Sequence, residues 1–152
     1  MHRHLFTIGY EHATAAAVFD ELKAAKVGLL VDVRAVAASR RPGFSKRVLA
    51  AGLDERGIGY LHLRGLGTPA EGRHAARSGR PQDMFRIYET HLATEKAQQE
   101  LAELKEIVRK GQRVCLLCYE RHPEGCHRRR IAELLCDELD LPVDHLFASP
   151  SI

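Results

Sequence analysis

The amino-acid sequence predicts an α/β protein: a single domain, residues 1–152, in which helices cover both faces of a mostly parallel sheet of five strands. Short apolar runs alternate along the chain with longer segments whose apolar residues recur at helical spacing. Alternation of this kind calls for a parallel sheet, because each helix returns the chain to begin the next strand in the same direction. The chain has 152 residues, 45% apolar and 28% charged, which is ordinary for one globular domain.

Five apolar runs predict the strands. They lie at residues 5–8, 29–33, 58–63, 113–117 and 143–146. The second run, Leu29 to Val33, is almost uninterrupted, which is typical of a strand covered on both faces. Because no internal repeat or linker interrupts the pattern, we expect one doubly wound, Rossmann-like sheet. The pattern does not encode the order of the strands in that sheet.

Helical periodicity fills the intervals between the strands. We expect helices over residues 14–26, 45–53, 81–92, around 101–108 and over 131–139. Ser45 suits an N-cap position, and Pro81 suits the first residue of a helix. The glycine-rich, basic segment 64–80 is predicted to be a loop, and a loop of this length is expected to be mobile or functional.

Composition and missing motifs exclude several classes of protein. No run approaches the roughly 18 apolar residues of a membrane span, and residues 1–8 lack the apolar stretch of a signal peptide, so we expect a cytoplasmic protein without a membrane partner. The four cysteines are therefore expected to be free thiols, reactive thiols or metal ligands, not disulfide staples. No nucleotide-binding fingerprint is present, so no cofactor is expected. The Cys-x5-Arg loop of cysteine phosphatases is also missing, since counting from Cys118 and Cys126 ends at Glu124 and Ala132.

The chemically versatile residues fall in loops that follow strands. In an open α/β sheet, ligands bind outside the carboxyl ends of the strands, where these loops meet. The connections at the opposite edge are short and chemically plain. The sequence therefore predicts one polar site at the carboxyl edge. Ten residues are expected to form it: Tyr10, Asp32, Arg34, Ser39, Arg40, Cys118, Glu120, Cys126, His127 and Arg128.

Cys126, His127 and Arg128 stand at the predicted start of the last helix, while Cys118 and Glu120 leave the fourth strand. A helix N-terminus lowers the pKa of a thiol placed there and also attracts phosphate or sulfate. We interpret Cys118 or Cys126 as a nucleophile or redox thiol, Glu120 and His127 as acid–base or orienting groups, and Arg128 as a ligand for an anion. The alternative is that the two cysteines are small buried residues that close a strand–helix turn.

The loop after the second strand is expected to complete the anion site. Arg34 and Arg40 offer bidentate contacts to an oxyanion, and Asp32 can orient an arginine or exchange protons. A structural ion pair that fixes the loop is the alternative. Ser39 either contacts the anion or caps a turn. Tyr10 either donates its hydroxyl to a ligand or packs over the sheet edge.

Metal binding is a competing interpretation of the cysteines. Cys118, Cys126 and His127 could supply three ligands, but their spacing is poor for zinc. Cys115 lies inside a predicted strand and Cys136 lies between apolar residues of a predicted helix, so both are expected in the core. We therefore assign no metal ligand.

The motifs occur in an order that resembles a known family. They are Thr7-Ile8-Gly9-Tyr10, Asp32-Val33-Arg34, Ser39-Arg40, Phe44-Ser45, Gly57-Ile58-Gly59-Tyr60, Leu66-Gly67, Cys118-Tyr119-Glu120 and Cys126-His127-Arg128. Together they resemble the family called domain of unknown function 488, from about residue 5 to residue 147. The resemblance implies a small, mostly bacterial and archaeal α/β protein, and its motif positions fall on Gly9 and on the predicted site residues. It implies no reaction. The chain departs from the family pattern at Ala37, where proline is usual, and at Glu11, where serine is usual.

The leading hypothesis is an enzyme, or an anion-binding domain, that acts on a phosphorylated or otherwise anionic small molecule. The alternatives are a nucleic-acid-binding or processing module, because basic residues cluster at 34–47 and 128–130, and a metal-binding domain. The net charge of +3 and the 6% aromatic residues argue against a nucleic-acid partner. The sequence predicts no oligomeric state.

Overall fold

The computed structural model describes residues 4–150, which form an all-parallel sheet of five strands with six α-helices. The strands are β1 (Leu5–Gly9), β2 (Leu29–Asp32), β3 (Gly59–His62), β4 (Val114–Cys118) and β5 (Val143–Leu146). The helices are α1 (Ala15–Ala24), α2 (Lys46–Asp54), α3 (Ala70–Arg77), α4 (Pro81–Leu92), α5 (Glu95–Arg109) and α6 (His127–Leu139). The predicted fold class is confirmed; the first three and last two residues of the predicted domain lie outside the described residues. None of the helices in residues 4–150 is both long enough and apolar enough to cross a membrane.

The strand order is β3-β2-β4-β1-β5. β1 and β4 are neighbours, with Leu5 opposite Val114 and Gly9 opposite Cys118. β2 and β4 are also neighbours. From β2 the chain crosses through α2 to β3, on one side, whereas from β4 it crosses through α6 to β5, on the other side. The connections that leave β2 and β4 therefore diverge, and a crevice opens between the carboxyl ends of such strands.

Two apolar clusters cover the two faces of the sheet. Val18 and Leu22 of α1 belong to the cluster on one face, together with residues of α2. Leu104 of α5 belongs to the cluster on the other face, together with residues of α4 and α6. Because successive residues of a strand point to opposite faces, Cys115 joins the first cluster and Cys118 the second. The side chain of Cys118 is thus directed to the face that α6 covers.

Segment 64–80 is not the loop that the sequence predicts. It contains a 3₁₀ turn, Arg64–Leu66, followed by the helix α3. Only Gly72 and Ala75 are buried among the eight residues of α3, so the helix lacks the apolar stripe by which sequence periodicity is recognised. The prediction of a loop was wrong for this reason.

Gly9 ends β1 at a point where the loop that follows β4 passes directly over it. A Cβ atom on Gly9 would lie 1.6 Å from the carbonyl oxygen of Glu120. The same two loops are joined by a hydrogen bond from the N–H of Glu11 to the carbonyl oxygen of Tyr119, at 2.8 Å. Only glycine permits this close approach of the two chain segments.

The variant Gly9→Ala is expected to lower the free energy of unfolding by about 1–3 kcal/mol, because the backbone at Glu120 must move to make room for a methyl group. The matched control is Gly125→Ala, whose Cβ would have no atom within 4 Å. Its expected change is within about 0.5 kcal/mol. Urea unfolding of both variants measures the difference, and equal stabilities would contradict the close approach.

Candidate functional site

A cavity of about 400 Å³ opens at the carboxyl edge of the sheet. Its walls come from the loops after β1, β2 and β4, from α3 and from the start of α4 and of α6. The cavity occupies the edge that the sequence predicts. Five predicted site residues line it: Tyr10, Arg34, Cys118, Glu120 and His127.

Asp32 holds Arg34 in the cavity wall. Nε and Nη2 of Arg34 donate to the two carboxylate oxygens of Asp32 at 2.8 and 2.7 Å, and the Tyr60 hydroxyl donates to Asp32 Oδ2 at 2.6 Å. Burial by itself lowers the pKa of Arg34, but the hydrogen bonds and charge of Asp32 outweigh it and raise that pKa. The fully buried Asp32 therefore orients a permanently charged Arg34, and an acid–base role for it stays a prediction.

Arg34 keeps a hydrogen-bond donor for a ligand. A guanidinium has five N–H groups, of which two donate to Asp32 and one donates to the Tyr10 hydroxyl at 3.1 Å. Tyr60 also forms a side-chain hydrogen bond with the guanidinium, which leaves one N–H group in a residue that lines the cavity. The Tyr10 ring stacks on Phe44 with 4.3 Å between ring centroids, so Tyr10 packs over the sheet edge and also presents its hydroxyl to the cavity.

Ser39 and Arg40 lie outside the cavity, although both were predicted to contact the anion. The Ser39 hydroxyl accepts the N–H of Arg41 at 3.1 Å, and the Ser45 hydroxyl donates to the Ser39 carbonyl oxygen at 3.1 Å. Arg41 donates to the carbonyl oxygen of Ala13. These bonds fold the loop back toward α1 and α2 and leave the Arg40 side chain exposed. Ser39 therefore stabilises a turn, which was the alternative prediction for it.

Arg128 is fully buried beneath the cavity. Its Nε donates to the Thr7 hydroxyl at 3.1 Å, and its Nη1 donates to Cys118 Sγ at 2.9 Å and to the Glu120 carbonyl oxygen at 2.5 Å. Its Nη2 donates to the Arg121 carbonyl oxygen at 3.2 Å. Within the described residues no carboxylate forms an ion pair with this guanidinium. Burial lowers the pKa of Arg128 to about 10, so the residue remains charged at neutral pH.

Arg128 acts on the cavity through Cys118. A positive charge in hydrogen-bond contact with a sulfur favours the thiolate over the thiol. Arg128 itself does not line the cavity, and its predicted contact with an anion stays a prediction. Glu120 Oε2 lies 3.6 Å from Cys118 Sγ, and burial raises the pKa of the Glu120 carboxyl. A carboxyl group of this kind can carry a proton beside the sulfur.

The sulfur atoms of Cys118 and Cys126 are in contact and are paired as a disulfide, with the two Cα atoms 7.5 Å apart. The expectation of free thiols is correct for Cys115 and Cys136 and wrong for this pair. Cys115 is buried in the core, as predicted, whereas Cys136 is only half-buried on α6. The pairing joins the end of β4 to the N-cap residue of α6 and places both predicted reactive cysteines in one site.

His127 has a fixed tautomer. Its Nε2 lies 2.7 Å from the carbonyl oxygen of Val33, and because a carbonyl only accepts, Nε2 carries the hydrogen. Nδ1 is then unprotonated and lies 3.7 Å from Cys126 Sγ. Burial lowers the pKa of His127 to about 4, so the ring is neutral at neutral pH. His127 is thus placed to accept a proton from the Cys126 thiol.

One group of possible metal ligands exists within residues 4–150: Cys118, Glu120 and Cys126 have ligand atoms within 4.8 Å of one another. The metal-binding interpretation of the sequence named His127 as the third ligand, whereas in the structure the third residue of the group is Glu120. The Arg128 guanidinium lies 2.9 Å from Cys118 Sγ and brings a positive charge next to the position that a cation would occupy. The charge distribution therefore favours chemistry at sulfur over binding of a divalent cation.

Sequence reasoning missed the contribution of α3 to the cavity. Thr68 precedes this helix, and Arg73 and Arg77 lie one turn apart on it; all three line the cavity. Arg73 Nη1 donates to the Thr68 carbonyl oxygen at 2.9 Å, and in the described part of the chain neither arginine forms an ion pair. The spacing of four residues between Arg73 and Arg77 could have indicated that both side chains lie on one face of a helix. That inference requires the helix to be predicted first, and the sequence pattern did not predict α3.

A family model described as Domain of unknown function DUF488 matches residues 14–135, most of the 152-residue chain. The chain belongs to the DUF488 family. The matched segment contains the Asp32–Arg34 pair and both cysteines of the DUF488 site, and Tyr10 lies before it. Comparisons with curated proteins and with solved structures found no match.

The stability of this DUF488 protein is expected to fall as the pH drops from about 6.5 toward about 4. The folded protein holds the pKa of His127 at about 4, below the ordinary value of about 6.5, so the unfolded chain binds the extra proton. The stabilisation is complete above pH 6.5 and is lost progressively below it, by about 2 kcal/mol at pH 5. Urea unfolding at pH 7 and pH 5 measures the loss.

The variant His127→Gln isolates this effect from other titrating groups. Glutamine retains an N–H donor for the Val33 carbonyl oxygen but does not titrate. The difference in stability between pH 7 and pH 5 should shrink by about 2 kcal/mol in the variant. An unchanged difference would show that His127 is not a buried neutral histidine.

Proposed function

We propose that this protein is a cytoplasmic thiol enzyme that binds a small anionic molecule in the cavity and attacks it with Cys118. The observation that carries the proposal is the contact of 2.9 Å between the buried Arg128 guanidinium and Cys118 Sγ. The guanidinium charge favours a thiolate, and Cys118 lines the cavity where a ligand can reach it. The reducing cytoplasm would keep this cysteine reduced between reactions.

Three arginines support the assignment of an anionic substrate. Arg34 has an N–H group left for a ligand, and Arg73 and Arg77 bring two further guanidinium groups to the same cavity. Ala76 and Met84 add apolar surface beside them. The volume of about 400 Å³ suits a small molecule with a charged and an apolar part.

The proposed chemistry begins with the thiolate of Cys118. Its sulfur forms a bond to an electrophilic atom of the substrate, while the bond from that atom to the leaving group breaks. Glu120 is placed to protonate the leaving group, because its carboxyl lies 3.6 Å from Cys118 Sγ and burial raises its pKa, the direction that a general acid requires. The product of this step is a covalent adduct on Cys118, which a second nucleophile must release.

Two alkylating reagents of nearly equal size test the proposal, iodoacetate with a negative charge and iodoacetamide without one. After reduction of the protein, Cys118 should prefer iodoacetate at least about tenfold more strongly than Cys136 does, because arginines in the cavity attract the carboxylate. Cys136 is the internal reference, since it lies outside the cavity. Mass spectrometry of the two peptides gives both rates.

The variants Arg73→Gln and Arg77→Gln should each lower the preference of Cys118 for iodoacetate without changing its rate with iodoacetamide. Arg80→Gln, on the exposed segment after α3, is the matched control and should change neither rate. The proposal fails if Cys118 reacts no faster than Cys136 with either reagent, or if it shows no preference for the charged reagent.

A further inference from the structure

Cys118 and Cys126 have different surroundings although their sulfur atoms are in contact. Both side chains are 1% exposed, but Cys118 is part of the cavity lining and Cys126 is not. A molecule in the cavity therefore meets Cys118 first. Cys126 lies behind it, with its sulfur in contact with Cys118 Sγ.

Each thiol also has its own activating group. Arg128 donates a hydrogen bond to Cys118 Sγ and supplies a positive charge. Cys126 is the N-cap residue of α6, where the helix N-terminus favours a thiolate, and the unprotonated Nδ1 of His127 lies 3.7 Å from its sulfur. The Arg128 charge stabilises the Cys118 thiolate before a substrate binds, whereas the neutral His127 ring accepts the proton of the Cys126 thiol during the reaction.

We infer that Cys126 is a resolving thiol and that the substrate class is a small anionic disulfide, which the dithiol reduces. The inference rests on the proposed function, because it requires Cys118 to be the attacking thiol in an anion-binding cavity. It adds the second nucleophile that the adduct on Cys118 needs, and it assigns that role to a residue already in contact with Cys118.

The reaction has two steps. First, the Cys118 thiolate bonds to one sulfur of the disulfide substrate, the substrate S–S bond breaks, and one half leaves as a thiolate. Second, His127 Nδ1 takes the proton from Cys126; burial holds the pKa of this ring at about 4, but the thiolate formed 3.7 Å away raises it. The Cys126 sulfur then bonds to Cys118 Sγ and expels the other half as a thiolate, and His127 releases the proton to solvent. Two electrons pass from the protein dithiol to the substrate, and the protein ends as the Cys118–Cys126 disulfide. A low-molecular-weight thiol then reduces this disulfide by the same exchange and restores the dithiol.

Dithiobis-nitrobenzoate is a suitable probe, because each half carries a carboxylate and is released as a coloured thiolate. The reduced protein, with Cys136→Ser to remove the half-buried thiol outside the site, is mixed with an equimolar amount of the probe. We expect two successive phases that release both halves, and an intact mass without an adduct. In Cys126→Ser, and likewise in Cys126→Ala, we expect release of one half only, with the other half retained on Cys118.

The outcomes separate this inference from the proposed function. If the protein with both cysteines retains the adduct, or if the adduct is found on Cys126, the resolving role is overturned while attack by Cys118 can still stand. If Cys118 releases no half of the probe faster than a free cysteine does, both the inference and the proposed function are overturned.

His127→Gln tests the base. Because His127 also lines the cavity, the second phase is compared with the first phase of the same variant. The second phase at pH 7 should slow by about tenfold or more and should then rise with pH through about 8.5, since an unassisted cysteine is only a few per cent thiolate at pH 7. A second phase with the original rate and pH profile would overturn the role of His127, a result that a change in folding alone does not produce.

Discussion

Arg128 connects the parts of the structure that form the site. From the first turn of α6 its guanidinium reaches Thr7 on β1, Cys118 at the end of β4 and two carbonyl oxygens of the following loop. Removing a guanidinium from water costs several kcal/mol, which only close hydrogen bonds and a compensating charge offset. The charges of Glu120 and Glu124 offset part of this cost through space, and reduction of the disulfide would add a Cys118 thiolate in direct hydrogen-bond contact with the guanidinium. The buried Arg128 guanidinium thus both connects the segments at the carboxyl edge of the sheet and favours the thiolate of Cys118.

The two buried arginines of the site have different counter-charges, and this difference assigns their roles. The charge of Arg34 is neutralised by Asp32, which also accepts a hydrogen bond from the Tyr60 hydroxyl. This ion pair forms without a ligand, and it fixes the direction in which the rest of the Arg34 guanidinium points. Arg128 forms no ion pair within residues 4–150; Glu120 and Glu124 act on its charge only through space, and Cys118 Sγ is in direct hydrogen-bond contact with it. The first arrangement builds a binding surface, and the second activates a nucleophile.

The fold and the location of the site could be predicted from the sequence, because both follow from local patterns. Apolar periodicity identifies the strands and most helices, and the rule that ligands bind at the carboxyl edge selects Arg34, Cys118 and His127. Position in a loop does not reveal which way the loop turns. The hydrogen bonds between Ser39 and Ser45 direct their loop away from the cavity, and no sequence pattern marks them. The sequence pattern did not predict the short helix α3, because only two of its residues are buried.

The strand order needed the structure because it depends on contacts between segments that are distant in the chain, such as the pairing of β1 with β4 across more than a hundred residues. The cysteine pairing spans only eight residues, but it depends on how the turn between β4 and α6 folds, which the sequence pattern does not reveal. The tautomer of His127 belongs here as well, since it is set by the carbonyl oxygen of Val33, 94 residues earlier in the chain. Local sequence indicates which groups are present, and the long-range contacts decide what each group can do.

The pKa of the Cys118 thiol is the most direct test of this account. It can be measured from the pH dependence of alkylation of the Cys118 peptide in the reduced protein with Cys126→Ser, using neutral iodoacetamide. If the Arg128 guanidinium stabilises the thiolate, the rate should reach half its maximum below about pH 7, well under the value of about 8.5 for an ordinary cysteine. A midpoint at or above about 8.5 would show that the buried charge does not act on this sulfur, and would contradict the account.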